Sequence, residues 1–224
     1  MHRVQLLIFD WDGTLADSAA QIVAAMQGAI KGLGLPARED EAIRELIGLG
    51  LNEGLQKLYP DVELAWLRRL LDSYRAKWLA EGAGEAPLFE GAQQAIEALH
   101  AAGFRIAIAT GKSRRGLDRS LRHHHELRSL VVNSRCADET ASKPDPLMLR
   151  ELLRDEGLAA EQALMIGDTE YDAAMARAIG MPALGVACGV HLPARILQAG
   201  AHASIHSVRE LPDWLTAARQ GSAS

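Results

Sequence analysis

Two aspartates separated by one residue, Asp10 and Asp12, follow directly on the apolar run Leu6-Leu7-Ile8-Phe9 and precede Gly13-Thr14. The run is short and uninterrupted, so it predicts a strand buried on both faces. Asp10 then stands at the carboxyl end of that strand, the side on which open α/β sheets collect ligands. While the chain stays extended, Asp10 and Asp12 point the same way, because strand side chains alternate with period two. Two carboxylates held together at the lip of a core repel each other, and a divalent cation relieves that repulsion. The chemistry on offer is attack of the Asp10 carboxylate on phosphorus beside a Mg²⁺ ion.

Phosphoryl transfer needs few other parts: an in-line nucleophile, cations or donors for the equatorial oxygens, and a proton for the leaving group. Asp10 can form an aspartyl-phosphate. Asp12 can act as general acid toward a leaving alkoxide and then as general base for water. Further along, Thr110 offers a hydroxyl and Gly111 a backbone N–H open to close approach. Lys143 is a compact cation for a phosphate oxygen, and Pro144 after it biases it toward extended backbone. Asp168 suits Mg²⁺, which prefers oxygen ligands from one or two carboxylates plus substrate phosphate. Asp172 lies four residues on, on the same helix face, where it can hold a metal-bound water or orient Lys143.

The elements that must position these residues follow from periodicity. Ile22, Val23, Met26, Ile30 and Leu33 recur at helical spacing, with Gly32 and Gly34 as the stop. Residues 39–47 and 51–59 read as two shorter helices around Gly48-Leu49-Gly50, which is either a loop that reaches over the site or a plain turn between helices. A longer helix runs from Val62 through Trp78, and 81–87 reads as a linker. From Phe89 the pattern alternates: helix 91–102, strand 104–109, helix 113–124, short strand 130–132, a helix capped by Asp145 with Pro146 at its first position, strand 163–166, helix 170–179, strand 182–186, helix 192–199, weak strand 203–206 and a closing helix 208–219. Gln220–Ser224 reads as a frayed tail. Alternation of this kind implies a doubly wound parallel sheet with helices on both faces. The fold class is therefore α/β, with a catalytic core of residues 1–15 and 87–224 and a small all-helical domain of residues 16–86.

Composition narrows the rest. The 224 residues carry 24 Lys and Arg against 29 Asp and Glu, a net charge of −5, which gives no electrostatic footprint for nucleic acid. Cys136 and Cys188 form no metal or redox spacing and read as reduced thiols. No apolar run approaches a membrane span, and no signal peptide precedes the first strand, so the expected setting is the cytoplasm. His123-His124-His125 reads as a solvated helix end, since adjacent helix residues do not converge on a ligand. Trp66 and Trp78 read as core of the helical segment, and Arg68-Arg69 as a solvated face.

The ordered set Asp10-x-Asp12-Gly13-Thr14, Thr110-Gly111, Lys143-Pro144 and Gly167-Asp168-x-x-x-Asp172 resembles the haloacid dehalogenase superfamily. The helical segment after the first motif resembles its C1-cap branch, and the whole is similar to the phosphoglycolate phosphatase-like members. The resemblance runs from Leu6 to about Val208. It implies Asp10 as nucleophile, Asp12 as acid/base, Thr110 and Lys143 as phosphate holders, and Mg²⁺ bound by the Asp10 and Asp168 carboxylates and the Asp12 carbonyl. It also implies a cap that closes over the site. Dehalogenase members generally lack the second aspartate, so Asp12 points to phosphate chemistry on a small phosphorylated metabolite. A phosphomutase, or a binding protein that keeps the fold without turnover, are the alternatives.

Overall fold

The computed structural model describes residues 4–80 and 85–221. Six strands form one parallel sheet: β1 (Leu6–Phe9), β2 (Arg105–Thr110), β3 (Val131–Cys136), β4 (Ala163–Gly167), β5 (Ala183–Val186) and β6 (Ala203–Ile205), in the order β3-β2-β1-β4-β5-β6. The order reverses on either side of β1, so the crevice beyond the ends of β1 and its neighbours is the switch point at which such sheets bind ligands.

Alternation along the strands builds two cores. Leu7, Phe9, Ile106, Ile108, Leu164 and Ile166 face one side, under α5 (Ala92–Ala101), α6 (Arg114–His123), α7 (His125–Arg128) and α11 (Leu211–Gly221). Leu6, Ile8, Ala107, Ala109, Ala163 and Met165 face the other, under α8 (Leu147–Glu156), α9 (Glu170–Arg177) and α10 (Pro193–Ala199). All four β1 side chains are fully buried, each contributing about 1.5–3 kcal/mol of apolar burial. This anchors the strand whose next residue is Asp10.

Between β1 and β2 lies a helical insertion of α1 (Ala19–Gly32), α2 (Asp40–Arg44), α3 (Leu51–Leu58) and α4 (Leu64–Ala80). It has its own core of Val23, Met26, Ile30, Leu55, Leu58 and Leu70 among others, as the helical spacing of these residues requires.

Several boundaries differ from the sequence reading. The third strand runs to Cys136 rather than stopping at Val132, because ladder pairing with β2 carries the polar stretch Asn133–Arg135. Helix α2 ends at Arg44, short of residue 47. Pro146 is the N-cap of α8 rather than its first residue, and the Asp145 carboxylate accepts the Leu147 N–H. The final segment begins as a 3-10 turn at Val208–Glu210, and α11 continues through Gly221, past the point where fraying was expected. Residues 81–84 of the expected linker and the tail beyond 221 lie outside the described residues. No helix of the described residues is long and apolar enough to cross a membrane.

Candidate active site

Asp10 leaves β1 with its N–H bonded to the Ile166 carbonyl and its Oδ1 accepting the Trp11 N–H at 2.7 Å. Its Oδ2 is buried and has no hydrogen-bond partner among the described residues. Gly13 turns the chain with φ +81°, and a Cβ there would strike the Asp168 carboxylate, so only glycine lets the loop lie against β4. Thr14 donates its hydroxyl to Asp168 Oδ1 at 2.8 Å, and the Val190 N–H holds Asp168 Oδ2 at 2.9 Å.

Lys143 is fully buried between two carboxylates, with Nζ 2.8 Å from Asp10 Oδ1 and 2.7 Å from Asp172 Oδ1. Asp172 also accepts from the N–H and hydroxyl of Thr169, its other oxygen lying 3.2 and 2.7 Å from them. Thr169, rather than Asp168, is thus the N-cap of α9, which leaves Asp168 free to face the site. Thr110 ends β2, buried, and accepts the Lys112 N–H.

The sequence-predicted residues divide into one cluster and one neighbour. Ligand atoms of Asp10, Asp168 and Asp172 lie within 4.8 Å of one another. The Asp12 carboxylate stands apart from that cluster, bonded to Lys112 Nζ at 2.9 and 3.0 Å and to the Ser18 hydroxyl at 2.7 Å. Burial pushes Asp168 up to about 7, with the nearby Asp172 charge adding to it. Burial likewise raises Asp10 well above the usual carboxylate range against the opposing pull of Lys143. Burial alone would lower Lys143, but Asp10 and Asp172 outweigh it and keep it charged. Three buried carboxylates with one unpartnered oxygen form a donor set that suits a hard divalent cation.

The chain belongs to the haloacid dehalogenase-like hydrolase family. The family model matches residues 7–186. A phosphoglycolate phosphatase of Vibrio cholerae is 29% identical over 84% of this chain and 87% of its own length. A protein named probable phosphatase IndB, of Dickeya dadantii, is 34% identical over 83% of this chain and 82% of its own. A hydrolase from Pseudomonas syringae superposes with a TM-score of 0.85 at 24% identity, covering 95% of this chain and 98% of that one. As in the family resemblance drawn from the motifs, the chain carries its helical insertion directly after β1.

The insertion meets the core through the Gly48-Leu49-Gly50 loop. A Cβ on Gly111 would run into the carbonyl oxygens of Gly48 and Leu49, and the Gly50 N–H donates to the Ser142 hydroxyl at 2.6 Å. Arg195 ties the two parts together, its guanidinium bonded to Glu170 on α9 and to Glu45 after α2.

Sequence reasoning missed Lys112, Ser18 and Thr169, and named Thr14 only as part of the first motif, without its bond to Asp168. The available signal for Lys112 was its place two residues past a strand-end threonine. Two other expectations are corrected. Trp66 is exposed, with the Arg69 guanidinium 4.4 Å from its ring centroid, because it lies on the outer face of α4. Trp78 lines the cavity above Asp12 rather than the insertion's core. In the histidine run, His124 is not solvated like its neighbours: it breaks the helix between α6 and α7, bonds the Ala86 carbonyl at 3.0 Å and packs 5.9 Å from Trp11.

Proposed function

We propose that this protein is a Mg²⁺-dependent phosphomonoesterase acting on a small phosphorylated metabolite through an aspartyl-phosphate on Asp10. The observation that carries the reading is the buried, unpartnered Oδ2 of Asp10, a carboxylate oxygen with no work to do in the fold. It lies two residues from a second carboxylate that is itself outside the acidic cluster.

Asp10 Oδ2 attacks phosphorus while Lys143 holds the other carboxylate oxygen and fixes its aim. The phosphoryl oxygens are met by the Thr110 hydroxyl, the Gly111 N–H and the Lys143 ammonium. Asp12 gives its proton to the leaving alkoxide. It then takes one from water, which attacks phosphorus and frees phosphate and Asp10. Asp10 and Asp168, with the Asp12 main-chain carbonyl, would hold the cation, and Asp172 supports Lys143 from the far side. Mg²⁺, when bound, supplies charge neutralisation for the phosphoryl oxygens. The insertion, residues 16–86, serves as a cap that excludes water.

Phosphate release from a panel of phosphomonoesters, with and without Mg²⁺, tests this for wild type and Asp10→Asn together. The expected result is release that needs both the metal and Asp10. Release that persists in Asp10→Asn overturns the nucleophile, and no release from the folded wild type overturns the phosphatase.

A further inference from the structure

A cavity of about 500 Å³ opens from Asp10 and Asp12 and runs between the insertion and α6. Pockets of roughly 300–1,000 Å³ hold ligands of drug size, well beyond what a two-carbon acid fills. Its roof is apolar. Ile22, Leu46, Leu49, Leu51, Tyr74 and Trp78 all line it and all keep part of their surface uncovered. Leu46, Leu51 and Tyr74 pack against the insertion's own core and present their remaining surface to the cavity. Such surface is stabilised by about 25 cal/mol for each Å² a ligand covers.

The two aromatic residues are placed next to the chemistry. Tyr74 and Trp78, one turn apart on α4, have ring centroids 6.1 Å apart at 32°. Lys112 Nζ lies 5.4 Å from the Trp78 ring centroid while bonded to Asp12. One lysine side chain therefore spans from the shelf to the proposed proton donor of the leaving group. The Tyr74 hydroxyl has no hydrogen-bond partner among the described residues, and burial, with the charge of Asp12 adding to it, keeps it protonated. It is a donor in the same cavity that Asp12 lines. The exposed charges that line the cavity, Arg75, Arg115 and Arg122 against Glu53 and Asp138, are of both signs.

We propose that the substrate is a phosphomonoester with a flat apolar leaving group, aryl-methyl or heteroaryl-methyl in character, seated on Tyr74 and Trp78. This rests on the phosphatase reading and narrows its substrate class. The leaving oxygen meets Asp12, the Tyr74 hydroxyl and Lys112 serve an oxygen near it, and the ring fills the space under the apolar roof.

The test compares benzyl phosphate, ethyl phosphate and phosphoglycolate, all alkoxide leavers, with Mg²⁺ present. Benzyl phosphate is expected to exceed both others by at least about tenfold in kcat/KM. Trp78→Ala is expected to remove that advantage, with Trp78→Phe restoring part of it. Equal or better hydrolysis of phosphoglycolate, or a Trp78→Ala loss shared by all three esters, overturns the shelf. Calorimetric binding of benzylphosphonate against methylphosphonate separates the two readings. A Trp78-dependent preference for benzylphosphonate without any hydrolysis keeps the shelf and overturns the phosphatase. Hydrolysis without preference does the reverse, and neither result overturns both.

Discussion

Lys112 and Asp12 are joined side chain to side chain, with Nζ 2.9 Å from Oδ1 and 3.0 Å from Oδ2. The pair is largely enclosed, at 11% and 12% side-chain exposure, so the ammonium fixes where the carboxylate points before any substrate arrives. Lys112→Met is expected to lower kcat by about 10–100-fold on alkyl phosphates, toward the low end of what acid–base catalysis supplies. With 4-nitrophenyl phosphate, whose leaving group needs no proton, the loss should shrink to a few-fold. Steady-state kinetics on the two ester classes checks this. An equal loss on both would assign Lys112 to phosphate binding instead.

Lys143 has no solvent contact and two carboxylate partners, so its removal acts on both rate and stability. Lys143→Ala should cost at least about 10²-fold in kcat through the lost electrostatic stabiliser. It should also cost about 3–5 kcal/mol of stability, because Asp10 and Asp172 would be left buried and unpaired. Denaturant melts in the absence of divalent ions check the second figure. A variant as stable as wild type would mean the two carboxylates are hydrated in the fold.

The legibility of the site in the sequence follows the sheet. Asp10, Thr110 and Asp168 each follow or end an apolar strand, so a run of buried residues marks their place before any coordinates are known. Lys143 lies in a loop, and Pro144 gave its only local signal. Asp172 was the weakest of the set by sequence, since a helical aspartate is usually solvated. It is fixed instead by its two bonds to Thr169 and its ion pair with Lys143. Lys112 was missed because its one local signal, a place just past a strand, is the same whether the lysine faces water or Asp12. Trp78 was misplaced for a related reason: helical periodicity marks the inner face of α4 but cannot tell a packed core from a ligand cavity. The extension of β3 through Asn133–Arg135 was lost because edge strands tolerate polar residues that a buried-strand pattern rejects.

His191 predicts a pH dependence of stability. Its Nδ1 accepts the Glu170 N–H at 3.1 Å, which requires that nitrogen to be unprotonated. Burial lowers its pKa, and the Arg195 guanidinium lowers it further against the opposing charges of Glu45, Glu170 and Asp172. With the folded value below the unfolded one of about 6.5, the unfolded chain takes up the proton first. The stability that neutral His191 contributes is thus present above about pH 6.5 and lost as pH falls through the folded value. Thermal melts from pH 8 to 5 should show a steeper fall for wild type than for His191→Asn, whose amide oxygen can accept the same N–H without titrating. Parallel curves would remove His191 as the titrating group.

Gly111 lies against the Gly48-Leu49-Gly50 loop of the insertion. The carbonyl oxygens of Gly48 and Leu49 occupy the space that a Cβ on residue 111 would need, and both belong to backbone that cannot rotate aside as a side chain can. Nothing else about Gly111 demands glycine, since its φ is not in the left-handed region. Gly111→Ala is therefore expected to leave the sheet intact and push the loop outward, weakening the Gly50–Ser142 bond at the same contact. The predicted outcome is a fall of about tenfold or more in kcat/KM, the scale of a displacement of about 1 Å at a positioned site. Hydrogen exchange should rise at Gly50 and stay unchanged in β1 and β4. Unchanged kinetics would mean that the loop closes on substrate from a position farther out than the one it holds here. Faster exchange throughout the sheet would mean instead that the methyl group is accommodated by the core, at the expense of the strand end that carries Thr110.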